Sequence, residues 1–263
     1  PLANLDSLAC FALTEPLFGS NPSGMETRAE KTARGYRING HKRWATNGTA
    51  AEVALVWAKL EGRICGFLVE TNLPGMDMRP IKGKISFRTS ETAELVLNNV
   101  EVPESALLPG ARSLGAAMAC LNQARYSIAW GTIGAAQACL EETIAYLKQR
   151  IQFDEKPLAS HQLIQHKLAW MAADLTAMQL MAMRLGELKC AGREVPAQVS
   201  LAKMYNCRKA IEIARTCREL LGAHGILTDN HVMRRKGPIA AGHRHHGRPL
   251  VPGRIRPRSH ATG

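Results

Sequence analysis

The sequence predicts an α+β protein, with a β-barrel or sandwich domain first and a helical bundle after it. Three observations carry this. Residues 10–103 break into short apolar runs separated by turn dipeptides, the pattern of a barrel or sandwich. Residues 113–228 carry apolar positions at helical spacing, including a seam with alternating steps of four and three. Beyond Arg234 neither period is present. The domain limits are therefore set at 1–110 for the β-domain, 111–234 for the helical bundle and 235–263 for a basic tail without regular structure.

In the β-domain, Tyr36-Arg37-Ile38 leads into Asn39-Gly40, a dipeptide that favours a tight hairpin because both positions accept positive φ. Val53–Trp57 and Ile64–Val69 read as buried strands, with Pro74-Gly75 as a turn after them. Glu94–Leu97 is a short strand ended by Asn98-Asn99, and Val100–Pro103 closes the region. In the bundle, Ala116–Arg150 is one long helix in which Gly131 and Gly134 are expected at a close helix contact. Pro157 lies in a loop and Ser160 is positioned to cap the next helix. Along that helix Ile164, Leu168, Met171, Leu175, Met178, Ala182 and Leu185 form the seam. A third helix starts near Pro196, buries Cys207, Ile211, Ala214, Cys217 and Leu221, and ends at Gly222.

The chain has 263 residues, of which 46% are hydrophobic, enough for a large core. Its net charge of +12 is uneven, because Arg235–Gly263 holds seven basic residues and no acid. The body is close to ordinary in charge. Seven cysteines, none in a CxxC pair, fit thiols in a reducing compartment rather than zinc or a disulfide framework. No apolar run is longer than Val53–Ala58, which is too short to span a bilayer. Pro1 opens the sequence without a leader from which localisation could be read.

Five segments carry chemistry. They are Cys10-Phe11-Ala12-Leu13-Thr14-Glu15-Pro16 with Gly19-Ser20; Trp44-Ala45-Thr46-Asn47; Arg125-Tyr126-Ser127-Ile128-Ala129-Trp130-Gly131; Arg150-Ile151-Gln152-Phe153 with Pro157-Leu158 and Gln162-Leu163-Ile164-Gln165; and Leu220-Leu221-Gly222-Ala223-His224-Gly225. In this order and at these distances they resemble the acyl-CoA dehydrogenase family of flavoenzymes, over residues 8–234. Leu121-Asn122-Gln123-Ala124-Arg125-Tyr126 and Ile128-Ala129-Trp130-Gly131 are most similar to the glutaryl-CoA dehydrogenase branch, and Met25-Glu26-Thr27-Arg28 agrees.

The resemblance implies a middle β-domain followed by a helical bundle that makes homotetramers, with the family's N-terminal helical domain absent from this sequence. It implies FAD as cofactor. Phe11, Leu13 and Thr14 match the loop along the isoalloxazine ring, and Trp44, Ala45 and Thr46 match the residues beside it. Arg150 and Gln162 match groups on the FAD pyrophosphate, and Glu219, Leu220, Leu221, Gly222 and Ala223 match a helix end at the adenosine. Ser20, Leu121, Asn122 and Arg125 match the substrate side, at the acyl-CoA. The implied reaction oxidises glutaryl-CoA, decarboxylates the product to crotonyl-CoA and passes electrons to an electron-transfer flavoprotein. Relatives work in bacterial cytoplasm or the mitochondrial matrix.

Each residue also has a plainer reading. Trp44 could be core, Thr14 and Ser20 turn residues, Arg125 and Arg150 solvated helix charges, and Gly222–Gly225 a helix cap. The shared order of five segments is what favours a flavin site.

The C-terminus departs from the pattern. The family's base is a glutamate that takes the α-proton of the thioester. Its position falls near His246, and no acid follows Asp229, so no catalytic residue is expected in this chain and turnover is expected to be weak or absent. His246 lies between Arg244 and Arg248 with nothing to position it. The composition of 235–263 points to a shifted reading frame. The other readings are a short-chain relative or flavin oxidase, a non-catalytic bundle assembling through the 164–185 seam, and a basic tail that binds nucleic acid or acidic lipid. That tail has no interleaved aromatics for base stacking, which disfavours nucleic acid.

Overall fold

In the computed structural model, which describes residues 2–4 and 6–234, seven strands precede three long helices. The strands are β1 (Ala9–Ala12), β2 (Arg28–Thr32), β3 (Gly35–Thr46), β4 (Val53–Leu60), β5 (Arg63–Glu70), β6 (Met76–Pro80) and β7 (Thr92–Pro103). The helices are α1 (Leu114–Gln149), α2 (Gln162–Cys190) and α3 (Pro196–Leu220). The chain divides into two units, one up to Ala124 and one from Arg125.

In the first unit β3 is the hub. It pairs antiparallel with β2 and with β7, and β7 pairs with β6. β4 gives one edge to β5 and divides the other between β1 and β2, both parallel to it. The sheet curls into a half-barrel around Ile38, Val56, Phe67, Val69, Leu95 and Val100, all fully buried. Tyr36 and Phe67 meet edge to face inside it, 5.3 Å apart.

Two sequence expectations fail here for one reason. Asn39-Gly40 is not a hairpin turn, and Asn98-Asn99 does not end a strand. Both dipeptides lie inside long strands, facing each other at a bulge in the β3–β7 register. Asn99 takes φ +52 there, its amide donates to the Asn39 side chain at 2.7 Å, and the two amide side chains bond at 3.1 Å. Of the four residues only Asn99 takes positive φ, so the left-handed freedom expected of Asn39-Gly40 is not used and the bulge stands in place of the turn. The β2–β3 turn falls at Ala33-Arg34. Gly40 is needed for close approach, since a Cβ there would stand 2.6 Å from Thr27 Cβ.

In the second unit the seam is packed as its spacing requires. Met171, Met178, Ala182 and Leu185 are buried, and Ile164, Leu168 and Leu175 pack half-buried against the same core. Asn206 of α3 is fully buried and donates to Ala129 O of α1 at 2.9 Å and Met178 O of α2 at 3.2 Å, tying three helices together. On α3 the fully packed isoleucine is Ile213, while Ile211 is half-buried. Gly131 and Gly134 are not at a close contact: both are exposed, and a Cβ at either meets nothing within 4 Å. Ser160 does not cap α2. Its hydroxyl donates to Pro157 O at 2.7 Å, and His161 is the cap position.

Among the described residues no helix is long and apolar enough to cross a membrane, and no group of side chains could hold a metal ion. None of the seven cysteines is in a disulfide, and only Cys120 and Cys190 are exposed. The 235–263 tail, with His246 and the expected place of the base, lies outside the described residues.

Candidate functional site

The first group of candidate residues sits where β1 runs out and β3 bends. β1 stops at Ala12, and the chain folds back in a tight loop closed by mutual backbone bonds between Glu15 and Phe18. Opposite it, the β3–β7 register slips again between Lys42 and Ala45. Trp44 takes φ +67 at that slip and is 41% exposed, which rules out the core reading for its indole. The Arg43 guanidinium lies 5.2 Å from the Trp44 ring and is held by Glu94 at 2.9 Å.

Loop and strand are joined residue by residue. Lys42 Nζ donates to Leu13 O at 3.1 Å and to Glu15 Oε1 at 2.9 Å. The Arg43 amide donates to Thr14 O at 2.8 Å. Glu15 accepts in addition from the amides of Glu26, at 2.6 Å, and Thr27, at 3.0 Å. The Lys42 side chain is 0% exposed and that of Glu15 3%. Burial pushes the Glu15 carboxyl up, but its bonds to Glu26, Thr27 and Lys42 outweigh this and hold it below the ordinary carboxylate value. Burial pulls the Lys42 ammonium down to about 8 against the attraction of Glu15. At neutral pH both groups are charged.

Sequence reasoning quoted Glu15 without giving it a role and missed Lys42. A signal existed. Tyr36, Ile38 and Lys42 are buried at even positions of one strand, so the period of two places a lysine on the core face.

The structure therefore brings Leu13 and Thr14 to the strand end that carries Trp44, Ala45 and Thr46. The side chains are not equally available. Leu13 and Ala45 are buried in two different cores and can present only backbone. Phe11 is half-buried, 6.1 Å from the Trp57 ring. Thr14 is half-buried, and Trp44, Thr46 and Ser20 are exposed. On α1, Leu121 packs half-buried against the core of Leu13, Met25 and Trp57, and Asn122 is buried, so of the two only Leu121 retains exposed surface in this unit. An exposed indole beside threonine hydroxyls and fixed backbone groups suits a flat heteroaromatic ligand with a polar edge.

The remaining candidates lie in the second unit. Arg125 is half-buried, and its charge adds to the burial that pulls the Lys203 ammonium down. Arg150 and Gln162 are exposed and flank one closed loop. The loop is fastened by Leu158 N on Arg150 O at 2.8 Å and by the pairing of Ile151 with Pro157. Glu219 is exposed and paired with Lys167 at 3.2 Å. Leu220 and Leu221 are buried in the bundle core, while Gly222, at φ +55, and Ala223 are exposed at the end of α3 with Glu219.

Comparison with known proteins bears on this arrangement. The acyl-CoA dehydrogenase middle domain matches residues 10–100, and the acyl-CoA dehydrogenase C-terminal domain matches 114–240, running past Arg234. An acyl-CoA dehydrogenase of Bacillus subtilis (strain 168) is 37% identical over 240 residues, covering 89% of this chain and 63% of that protein. A glutaryl-CoA dehydrogenase from Mycobacterium smegmatis, solved in complex with FADH2, is 48% identical with a TM-score of 0.91, covering 94% of this chain and 64% of that one. Butyryl-CoA dehydrogenase from Megasphaera elsdenii is 31% identical with a TM-score of 0.89, covering 95% and 67%. The chain thus spans about two thirds of the length of these relatives. Both units match the same family in order, and the chain belongs to the acyl-CoA dehydrogenase family.

Proposed function

We propose that this chain is the flavin- and thioester-facing part of an FAD-dependent acyl-CoA dehydrogenase whose acyl group is glutaryl. The observation that carries the flavin reading is the second β3 bulge, which turns Trp44 out at φ +67 next to a loop fixed to the same strand. The residues fit FAD by their chemistry. Trp44 offers a plate, the Thr14 and Thr46 hydroxyls offer donors, and the main chain at Leu13 and Ala45 lies beside them. When bound, FAD supplies the hydride acceptor for α,β-dehydrogenation.

Arg150 and Gln162 are assigned to the pyrophosphate, where a guanidinium fork suits paired phosphate oxygens. The backbone of Gly222 and Ala223 and the Glu219 side chain are assigned to the adenosine. Ser20, Leu121, Asn122 and Arg125 are assigned to the acyl-CoA. No residue among these 263 is assigned the α-proton abstraction; residues 230–263 hold no Asp or Glu. The glutaryl assignment rests on the 48% identity to the Mycobacterium smegmatis enzyme against 31% to the butyryl-CoA enzyme. We assign the electron acceptor as an electron-transfer flavoprotein and the assembly as a homotetramer.

The test is a titration of the chain with FAD, then of the loaded chain with glutaryl-CoA and butyryl-CoA, read from the flavin's visible absorption. Saturable FAD binding and a tighter response to glutaryl-CoA are expected. Absence of FAD binding refutes the flavin reading. Equal response to the two thioesters removes the glutaryl assignment alone.

A further inference from the structure

We propose that Lys42 and Glu15 are positioning residues: the buried pair clamps Thr14 at a fixed distance from Trp44 and so sets the width of the flavin slot. This rests on the flavin reading above.

The geometry brackets Thr14 from three sides. Lys42 Nζ holds the residue before it through Leu13 O at 3.1 Å and the residue after it through the Glu15 carboxylate at 2.9 Å. The Arg43 amide holds Thr14 itself through its carbonyl at 2.8 Å. Successive loop residues 13, 14 and 15 are thus bonded to strand residues 42 and 43, and the next strand residue is Trp44. The far side is closed as well, because Glu15 fastens the amides of Glu26 and Thr27.

Stability alone does not call for this design. Burying two charges carries a desolvation cost that well-packed apolar residues of similar size avoid. The pair delivers direction instead: an ammonium with acceptors on two loop residues, and a carboxylate with both oxygens engaged, admit one loop geometry. Neither side chain reaches the surface, at 0% and 3% exposure, so neither touches the flavin. Their effect passes through Thr14 and Trp44.

The experiment compares the native chain with Lys42→Met, Glu15→Gln and Val69→Ala. Val69 is a fully buried core residue outside the candidate site and serves as a control for loss of stability as such. The readouts are the FAD dissociation constant and the shape of the bound flavin's visible band, each measured well below the melting temperature. Lys42→Met is expected to weaken FAD binding about tenfold or more and to change the band, through loss of charge-assisted bonds to two loop residues. Glu15→Gln, which keeps the shape and removes the charge, is expected to fall between Lys42→Met and native, and decides the matter if Lys42→Met does not fold. Val69→Ala is expected to keep native affinity. Native affinity in both pair variants, or a loss no larger than that of Val69→Ala, overturns the clamp. A native chain that binds no FAD refutes the flavin reading itself, and with it the slot.

Discussion

Alanine in place of Gly40 tests whether the β-domain is organised by close strand approach rather than by a turn at this dipeptide. The added Cβ would stand 2.5 Å from Thr27 Cγ2 and 2.6 Å from Thr27 Cβ. Carbon atoms settle at about 3.5–4.0 Å, so the overlap is about 1 Å. Rotating the Thr27 side chain does not relieve it, because its Cβ is itself in the way. The Thr27 backbone is pinned at both ends, its amide on Glu15 at 3.0 Å and its carbonyl on the Lys59 amide at 2.8 Å. Overpacking of this kind costs about 1–3 kcal/mol, and straining two hydrogen bonds adds roughly 1 kcal/mol each when they weaken. A loss of about 3–4 kcal/mol is expected, or on the order of 10 °C in melting temperature for a unit of this size. The assay is thermal and urea unfolding of native, Gly40→Ala, Thr27→Gly and the double variant. The double variant should recover a coupling energy of about 2 kcal/mol, since Thr27→Gly removes the obstructing atoms. Gly110→Ala, where a Cβ meets nothing within 4 Å, should be nearly silent. If Gly40→Ala melts within 2 °C of native, roughly a 0.5 kcal/mol effect, the close-approach argument is wrong.

The same substitution has the opposite sign on α1. Gly131→Ala and Gly134→Ala meet open space in this chain and should each stabilise it by about 0.5–1 kcal/mol in urea unfolding; a loss would place a packing surface there. Asn206→Ala should cost roughly 2 kcal/mol, from two donor bonds and lost volume, less the relief of an acceptor Oδ1 that has no partner among the described residues. A loss under about 0.5 kcal/mol would show that the three-helix tie carries little. The pair in the first unit predicts two pH limbs. Glu15 is held below its ordinary value, so its contribution is present at neutral pH and is lost as pH falls through its folded value. Lys42 titrates near 8 in the folded chain against 10.5 when free, so the unfolded state binds more protons in that window and stability rises with pH there, by at most about 3 kcal/mol. Lys42→Met should abolish the alkaline rise, and a rise that persists in it refutes the assignment.

How much was legible follows from where the information lies. The 164–185 seam was readable because its packing repeats along one helix, and Met171, Met178, Ala182 and Leu185 are buried as their spacing demands. The strands at 53–60 and 63–70 were readable for a similar reason, being continuous apolar runs with a turn between them. Asn39-Gly40 misled because the dipeptide permits positive φ without adopting it, its glycine serving close approach to Thr27 instead, and Asn98-Asn99 misled because its Asn99 bulges within a strand and does not end it. Only the pairing of β3 with β7 makes one bulge of the two. Gly131 and Gly134 misled because glycine permits a close approach without producing one.

The candidate site shows a sharper limit. Matching a motif names positions, and at several of them the side chain is buried in a core: Leu13 and Ala45 in the two β-domain cores, Leu220 and Leu221 in the bundle. At those places the chain can act only through main-chain N–H and C=O groups, so their usefulness depends on where the backbone is held. Two features hold it. One is the bulge that gives Trp44 its positive φ, and the other is the ion pair that no exposed chemistry announces. A lysine on the core face of β3 looks like an error of patterning when β3 is considered alone. It becomes intelligible once the carbonyl of Leu13 and the carboxylate of Glu15, 29 and 27 residues away, are seen to need a donor. The residues proposed to face the flavin were therefore easier to recognise than the residues proposed to position them, because the first belong to contiguous motifs and the second to contacts between them.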